Sequence, residues 1–334
     1  MTDFAYPIVA GDIGGTNARF SVVPGPGAAQ IDLPTVPTAR YGSLEEALAD
    51  ALRSGEAPAP RTGLFAAAGP IDADGLDLTN AAWTIRPPDI IARCGLGEVA
   101  LFNDFEAQAL ALAVLQPHHV EPVGAARPRG DRTKAVIGPG TGLGVGMLVH
   151  AAGRWVPVPG EGGHVDLGPR GPREEAIFAR AETIEGRMSG EQLLSGDGLL
   201  NLARAVAAAD GSGRRYGDPS DVTYGALLAG DEVAREALSL FCTLLGRMAG
   251  DLALTVLARG GVYIGGGIAP RIVDFLQASG FRAAFEDKAP HRRLMEEIAT
   301  LIVVDDRPAL DGLVGLAAEP DRFLLDLDFR RWRA

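Results

Sequence analysis

The chain has 334 residues, enough for about two domains with a sizeable buried core. Its net charge of −12 at pH 7 opposes association with a phosphate backbone unless a basic face is strongly segregated, so nucleic acid is not an expected partner. With 47% hydrophobic and 22% charged residues, the composition is that of a folding chain rather than a disordered one.

Cys94 and Cys242 are the two cysteines, too far apart for a disulfide framework or a cysteine-rich zinc cluster, which suits a reducing cytosol. The first residues have no basic segment followed by an apolar core, so no signal peptide is expected. Membrane association is not expected either, because even the apolar segment 237–258 carries Arg247 and Asp251. These features together predict a cytoplasmic protein.

In chain order, residues 8–10 read as a strand, 11–17 (Gly-Asp-Ile-Gly-Gly-Thr-Asn) as a glycine turn and 18–23 as a second strand. Ser43-Leu44-Glu45-Glu46 has the pattern of a capping box, and Leu44, Ala47, Leu48, Ala51 and Leu52 then recur at helical spacing. A buried strand is predicted over 63–68 and another over 99–102, after which Asn103 and Asp104 open a helix carrying Ala107, Leu110, Ala111, Val114 and Leu115. Residues 135–149 replay the opening strand, glycine turn and strand, which suggests an internal duplication. Helices are predicted over about 173–184, 197–209 and 231–258, with Asp197 as an N-cap and Gly211 as a stop. A strand at 262–264 runs into Gly265, Gly266 and Gly267, followed by a helix over 270–278, a strand over 301–304 and a helix over 310–318. Alternating strands and helices predict an α/β fold of two similar halves.

The 11–17 turn has enough glycine for backbone N–H groups to converge on an anion. It is not a Walker A loop, because the Gly-Lys-[Ser/Thr] ending is absent and the chain's lysines are Lys134 and Lys288. Nor is it a dinucleotide turn, since it leads into a strand rather than a helix. Two readings remain: a tight hairpin without ligand, or a phosphate-holding hairpin with Thr16 as a hydroxyl donor and Asp12 orienting a hydrated Mg²⁺. The second glycine hairpin at 138–146 and the third cluster at 265–267 favour the nucleotide reading, with two turns on the polyphosphate and the third against base and ribose.

Asn103 and Asp104 place an amide and a carboxylate where a helix dipole favours negative charge by about 0.3–1 kcal/mol. Asp104 there can take a proton from a sugar hydroxyl that attacks a γ-phosphate; equally, either residue can simply cap the helix. Pro159-Gly160-Glu161-Gly162-Gly163-His164 sets a carboxylate and an imidazole three apart in a glycine turn, with Glu191 further on, a donor and acceptor set that suits a polyol. A metal site from Glu161, His164 and Asp166 lacks a histidine pair at helical spacing and a cysteine ligand. Glu191 also reads as the first turn of a helix begun at Ser189, and His118 and His119 read as solvated loop residues.

Taken as a set, these residues resemble the bacterial glucokinase family, in the branch without the zinc-binding motif. The resemblance rests on Gly-Asp-Ile-Gly-Gly-Thr-Asn-Ala-Arg (11–19), Leu-Thr-Asn (78–80), Asn-Asp-Phe (103–105), Gly-Thr-Gly-Leu-Gly (140–144), Pro-Gly-Glu-Gly-Gly-His-Val-Asp (159–166), Leu-Ser-Gly (194–196), Gly-Gly-Gly-Ile-Ala-Pro-Arg (265–271) and Gly-Phe-Arg-Ala-Ala-Phe-Glu-Asp-Lys (280–288). It implies an α/β, two-domain actin-like ATPase (ribonuclease H-like) fold of the hexokinase type. A small domain is expected over 1–114 and about 303–325 and a large one over 115–302. It further implies ATP-dependent phosphorylation of D-glucose at the 6-hydroxyl, the entry step of glycolysis, by a cytoplasmic homodimer using ATP and Mg²⁺.

Residue by residue, Asn103, Asp104, Glu161, His164 and Glu191 match the family's glucose ligands, with Asn80 of the Leu-Thr-Asn motif added to the substrate-binding set and Asp104 matching the catalytic base. Gly11, Asp12, Ile13, Gly14, Gly15, Thr16 and Asn17 match its ATP loop, joined by Gly140, Thr141 and Gly142 and by Gly265, Gly266 and Gly267. No zinc site is expected, because no cysteine follows His164 until Cys242. The competing expectations are a kinase for another hexose and a sugar-responsive regulator on the same scaffold. Acidic charge and the early first strand, with no DNA-binding segment before it, count against the regulator.

Overall fold

The computed structural model describes residues 4–78 and 83–334. In chain order the elements are β1 (Ile8–Ile13), β2 (Asn17–Val23), β3 (Ile31–Asp32), β4 (Val36–Pro37), α1 (Leu44–Ser54), β5 (Thr62–Ala67), β6 (Ile71–Asp72), β7 (Gly75–Asp77), β8 (Thr84–Ile85), α2 (Pro87–Cys94), β9 (Glu98–Asn103) and α3 (Asp104–Ala111). Then follow β10 (Val120–Val123), β11 (Lys134–Pro139), β12 (Leu143–Ala151), β13 (Arg154–Gly160), α4 (Gly171–Phe178), α5 (Gly196–Ala209), α6 (Pro219–Leu227), α7 (Glu232–Val256), β14 (Val262–Ile264), α8 (Val273–Ala278), α9 (Phe281–Glu286), α10 (Arg292–Glu296), β15 (Thr300–Val303), α11 (Pro308–Ala318) and β16 (Arg331–Arg333). They form two compact units, one of Met1–Gln116, Gly146–Pro159 and Asp305–Ala334, the other of Pro117–Val145 and Gly160–Val304.

The first unit is built on a sheet ordered β16-β9-β5-β1-β2-β3, with β4 also paired to β2. Strands β1, β5 and β9 are parallel, and their register sets Asp12 opposite Ala66, Ala66 opposite Phe102 and Ala67 opposite Asn103. β5 is buried along its whole length and β1 nearly so, the continuous apolar reading of strands covered on both faces. Val9, Ile13, Phe65, Val99 and Leu101 pack with Leu44, Leu48, Ile90 and Ile91 on the α1 and α2 side. Because side chains alternate along a strand, Asp12 points to the other face, which α11 covers together with α3. Gly312 lets α11 and α3 meet closely, since a Cβ there would lie 2.1 Å from the Ala107 carbonyl oxygen.

The second unit contains β10, β15, β14, β11 and the first residues of β12, paired in that order, with β11, β14 and β15 parallel and β10 antiparallel to β15. Helix α7 is long and apolar enough, by length and composition, to cross a membrane, but 67% of its most apolar window is buried within the fold. Its Arg247 is buried in a bidentate pair with Glu174 of α4 and also donates to the Gly168 carbonyl. Lys288, at the end of the 280–288 motif, is likewise buried and donates to the Arg247 carbonyl and to Asp251 Oδ1, tying that motif to α7.

Several local expectations are corrected. The helix expected over 173–184 stops at Phe178, and Glu185 and Gly186 that follow take left-handed backbone angles. Ser195, not Asp197, caps α5, accepting from the Gly198 N–H. The helix at Asp104 ends at Ala111 rather than running to Leu115, and the 270–278 segment opens with a separate 3₁₀ turn at Ala269–Arg271. Ser43 accepts from the Glu46 N–H as a capping box requires, but the Glu46 carboxylate returns to the Gly42 N–H instead of to Ser43.

Replacing Gly312 with Ala forces α3 and α11 apart and is expected to cost about 1–3 kcal/mol in a urea unfolding titration. Gly213→Ala, where a Cβ meets nothing within 4 Å, is the control and is expected to stay within about 0.5 kcal/mol of the parent.

Candidate active site

In the first unit the β1–β2 turn is closed by the Gly14 N–H donating to the Asn17 carbonyl at 3.0 Å. Thr38 braces it from outside, its hydroxyl donating to the Gly15 carbonyl at 2.6 Å and its N–H to the Thr16 carbonyl at 3.0 Å. Gly15 and Thr16 are exposed at the tip, whereas Gly11 and Ile13 are buried in the strand. Gly11 is a packing requirement, since a Cβ would come within 2.7 Å of the Phe65 ring. The part of the loop able to offer amides and a hydroxyl to an anion is therefore the 14–17 tip.

Asp12 lies just before that tip, its side chain 20% exposed and 3.6 Å from the Arg19 guanidinium across the β1–β2 pair. Burial pushes its carboxyl up to about 6, the nearby Asp104 carboxylate adds to the rise, and Arg19 opposes it. A hard carboxylate oxygen held in excess negative charge fits a divalent cation such as Mg²⁺.

Asn103 ends β9 and caps α3, its Oδ1 accepting from the Phe105 N–H at 2.9 Å. Asp104 is not the cap. It is the first residue of the helix, half-buried, and its own Oδ1 shares the Phe105 N–H at 2.9 Å. Gly146 of β12 packs on the same junction, where a Cβ would stand 2.6 Å from the Phe105 carbonyl. Asn80 lies outside the described residues.

The second unit resumes at Gly160, the last residue of β13, and a 3₁₀ turn, Gly162–His164, follows. Gly163 crosses so close to β12 that a Cβ would lie 1.9 Å from the Leu143 carbonyl oxygen, so any larger residue moves the turn. The Glu191 N–H donates to the Gly163 carbonyl at 2.8 Å and the Gly190 N–H to the Val165 carbonyl at 2.9 Å, which brings Glu191 beside the turn although it is 27 positions beyond His164. Glu191 sits in a turn ahead of α5, not in a helix begun at Ser189. Its Oε2 accepts from the Leu143 N–H at 2.9 Å, linking it to the second glycine turn. His164 Nε2 stands 3.9 Å from Glu161 Oε2, with side chains 54% and 85% exposed and therefore open to a ligand. Asp166 is engaged by Arg187 at 2.6 Å, and among the described residues no three His, Cys, Asp or Glu gather as a metal site.

The second and third glycine clusters also meet. Gly266, at φ +75°, would place a Cβ 2.3 Å from the Pro139 carbonyl oxygen, and the N–H groups of Gly265 and Ile268 donate to the Ile137 and Pro139 carbonyls. The Gly196 N–H, at the start of α5, donates to the Gly140 carbonyl at 2.8 Å. Thr141 and Gly267 are exposed beside this assembly and Gly140 and Gly142 are half-exposed.

Sequence reading missed Glu106 and Arg330, which pair at 2.5 Å next to Asn103 and Asp104. Two signals pointed to them: a glutamate three residues after a helix-capping asparagine, and a run of arginines at 330–333 in an acidic chain.

Because the Asp12 carboxyl rises from 3.8 to about 6 on folding, its contribution to stability is complete below about pH 3.8 and is lost as pH rises to about 6. The loss amounts to at most about 3 kcal/mol. In thermal melts without nucleotide or divalent cation, Asp12→Asn is expected to raise Tm at pH 7.5 and to match the parent near pH 4. A Tm difference of the same size at both pH values contradicts this account.

A family model described as Glucokinase matches residues 9–320. Among curated relatives, a glucokinase from Agrobacterium fabrum is 49% identical over 330 residues, covering 99% of this chain and 97% of the relative. Among solved structures, a glucokinase from an Antarctic psychrotroph superposes with a TM-score of 0.84 at 31% identity, covering 93% of this chain and 98% of the other. A ROK family glucokinase from Streptomyces griseus, solved in complex with glucose and AMPPNP, shares the fold at a TM-score of 0.61 and 22% identity, covering 93% of this chain and 99% of the other. The fold is thus the two-domain actin-like, hexokinase-type α/β architecture. On the span of the family model and the full-length identity to its relatives, the chain belongs to the glucokinase family.

Proposed function

We propose that this chain transfers the γ-phosphoryl group of ATP to the 6-hydroxyl of D-glucose, as the first step of glycolysis, and that it works in the cytoplasm as a homodimer. The reading is carried by the β9–α3 junction, where Asp104 stands as the first residue of α3, its Oδ1 on the Phe105 N–H, close to the Asp12 carboxylate.

Asp104 accepts the proton of the 6-hydroxyl as that oxygen bonds to the γ-phosphorus and the bond from phosphorus to the ADP oxygen breaks. The proton is needed late in so loose a transition state, so the base need not be a strong one. Asn103, Glu161, His164 and Glu191, with Asn80, orient the sugar hydroxyls, and this placement provides much of the rate. Glu191 can keep its Oε2 bond to the Leu143 N–H, since a carboxylate has further acceptor sites for a sugar hydroxyl. The turns at 14–17, 140–142 and 265–267, exposed at Gly15, Thr16, Thr141 and Gly267, hold the nucleotide with backbone amides and the Thr16 hydroxyl. Asp12 would hold Mg²⁺ through water, and the metal, when bound, neutralises charge on the β- and γ-phosphates.

Asp104→Asn is expected to lower kcat by about 10² to 10⁴ while glucose Kd changes by less than about threefold, read from a coupled ADP assay and calorimetry. Turnover near that of the parent rejects Asp104 as the base. Across a panel of glucose, mannose, fructose and glucosamine, glucose is expected to lead in kcat/KM by at least about tenfold, and ATP hydrolysis without sugar to be slow. Equal use of another hexose changes the substrate, and sugar binding without phosphoryl transfer favours a regulator.

A further inference from the structure

Glu106 is a carboxylate sealed in the core of the first unit, 1% exposed, two residues beyond Asp104. Its Oε2 pairs with Arg330 at 2.5 Å, while Oε1 has no hydrogen-bond partner among the described residues. Burial disfavours the charged carboxylate, and the Arg330 guanidinium, followed by the Asn103 backbone N–H, opposes that cost. Arg330 is fixed in turn. Its guanidinium lies over the Phe102 ring, 5.4 Å from the centroid, its Nε donates to the Asp326 carbonyl, and its own carbonyl accepts from the Leu101 N–H at 3.0 Å.

One residue from a segment 224 positions away thus grips positions 101, 102 and 106, on both sides of the Asn103–Asp104 pair. A helix N-terminus held at three points around the reacting carboxylate has little freedom to tilt, and small misplacements of a catalytic group cost rate steeply. We infer that Arg330 and Glu106 are positioning residues for Asp104, an ion pair that fixes the β9–α3 junction in its reactive geometry. The inference rests on the reading of Asp104 as the base.

The test uses the full chain at 25 °C with Glu106→Gln, Arg330→Met, Arg330→Lys, the Glu106→Gln/Arg330→Met double variant and Asp104→Asn. Expected is a fall in kcat of at least about threefold in Glu106→Gln and in Arg330→Met, with KM for ATP within about twofold of the parent. Arg330→Lys, which keeps the charge, recovers at least about half of the parent kcat, and the double variant is no worse than the poorer single by more than about twofold, since both remove one interaction. In the Asp104→Asn background, Glu106→Gln leaves the residual turnover within about twofold, because the carboxylate being positioned is gone. A purely structural pair lowers Tm and leaves kcat of the folded singles within about threefold of the parent, and that result overturns the inference. So does an undiminished loss in the Asp104→Asn background. Should Arg330→Met fail to fold, Glu106→Gln decides the matter, as it removes the buried charge and leaves Arg330 partly exposed to water. Parent-like turnover of Asp104→Asn itself identifies the failure as one of the base assignment, which takes the positioning role with it.

Discussion

A carboxylate buried at the end of β1, with a second one nearby at the head of α3, is the constraint around which the first unit is arranged. Parallel register of β1, β5 and β9 sets Asp12 level with Phe102, one residue short of Asn103, and strand alternation turns it to the α3 side of the sheet. Asp104 then arrives at the head of α3; burial makes ionisation of Asp12 costly, Arg19 offsets part of that cost and the Asp104 carboxylate adds to it. Such an arrangement lowers the stability of the empty protein and raises its appetite for positive charge. It also explains why the neighbouring contacts are strong: Asn103 caps the helix, Gly312 lets α11 press on it, and the buried Glu106–Arg330 pair lies behind it.

The second unit meets a different constraint, the approach of backbone to backbone. Gly163 against β12 and Gly266 against the Pro139 carbonyl bring three separated turns into one neighbourhood, and Glu191 is drawn in by main-chain bonds to the 163–165 segment before its side chain does anything. Side-chain chemistry here is light: the Glu161 and His164 side chains are largely exposed, and their 3.9 Å separation leaves room for hydroxyls to intervene. Further back, the buried Arg247–Glu174 pair and the buried Lys288, which donates to the Arg247 carbonyl and to Asp251, tie α4, α7 and the 280–288 segment together.

What was legible in the sequence follows the range of the forces involved. The strands at 8–10, 18–23, 63–68 and 99–102 and the helix after Ser43 are set by local apolar spacing and by a capping side chain within three residues, and they lie within a few residues of where they were expected. Within the family motifs, Gly11, Gly163 and Gly266 are demanded by near contacts. Elements whose stability comes from distant partners were not legible. β16 is three residues long with alternating Arg and Trp, and nothing local marks it as a strand; it exists because β9 offers an open edge and Glu98 takes the Arg331 guanidinium. The same holds for the end of α4 and for Ser195 displacing Asp197 as the cap, since the choice depends on where the chain must turn to meet the glycine hairpin at Gly140.

The pairing of β9 with β16 has a consequence for the order of events on the ribosome. β9 emerges early, yet the strand that covers its outer edge is translated more than 220 residues later, so that edge stays open through most of synthesis. Contacts of such sequence separation form slowly, and an uncovered edge invites pairing with other chains in the meantime. β9 itself ends in an asparagine and is followed at once by a helix, which shortens the exposed ladder to six residues and limits what a stray strand can grasp while the nascent polypeptide waits for its own.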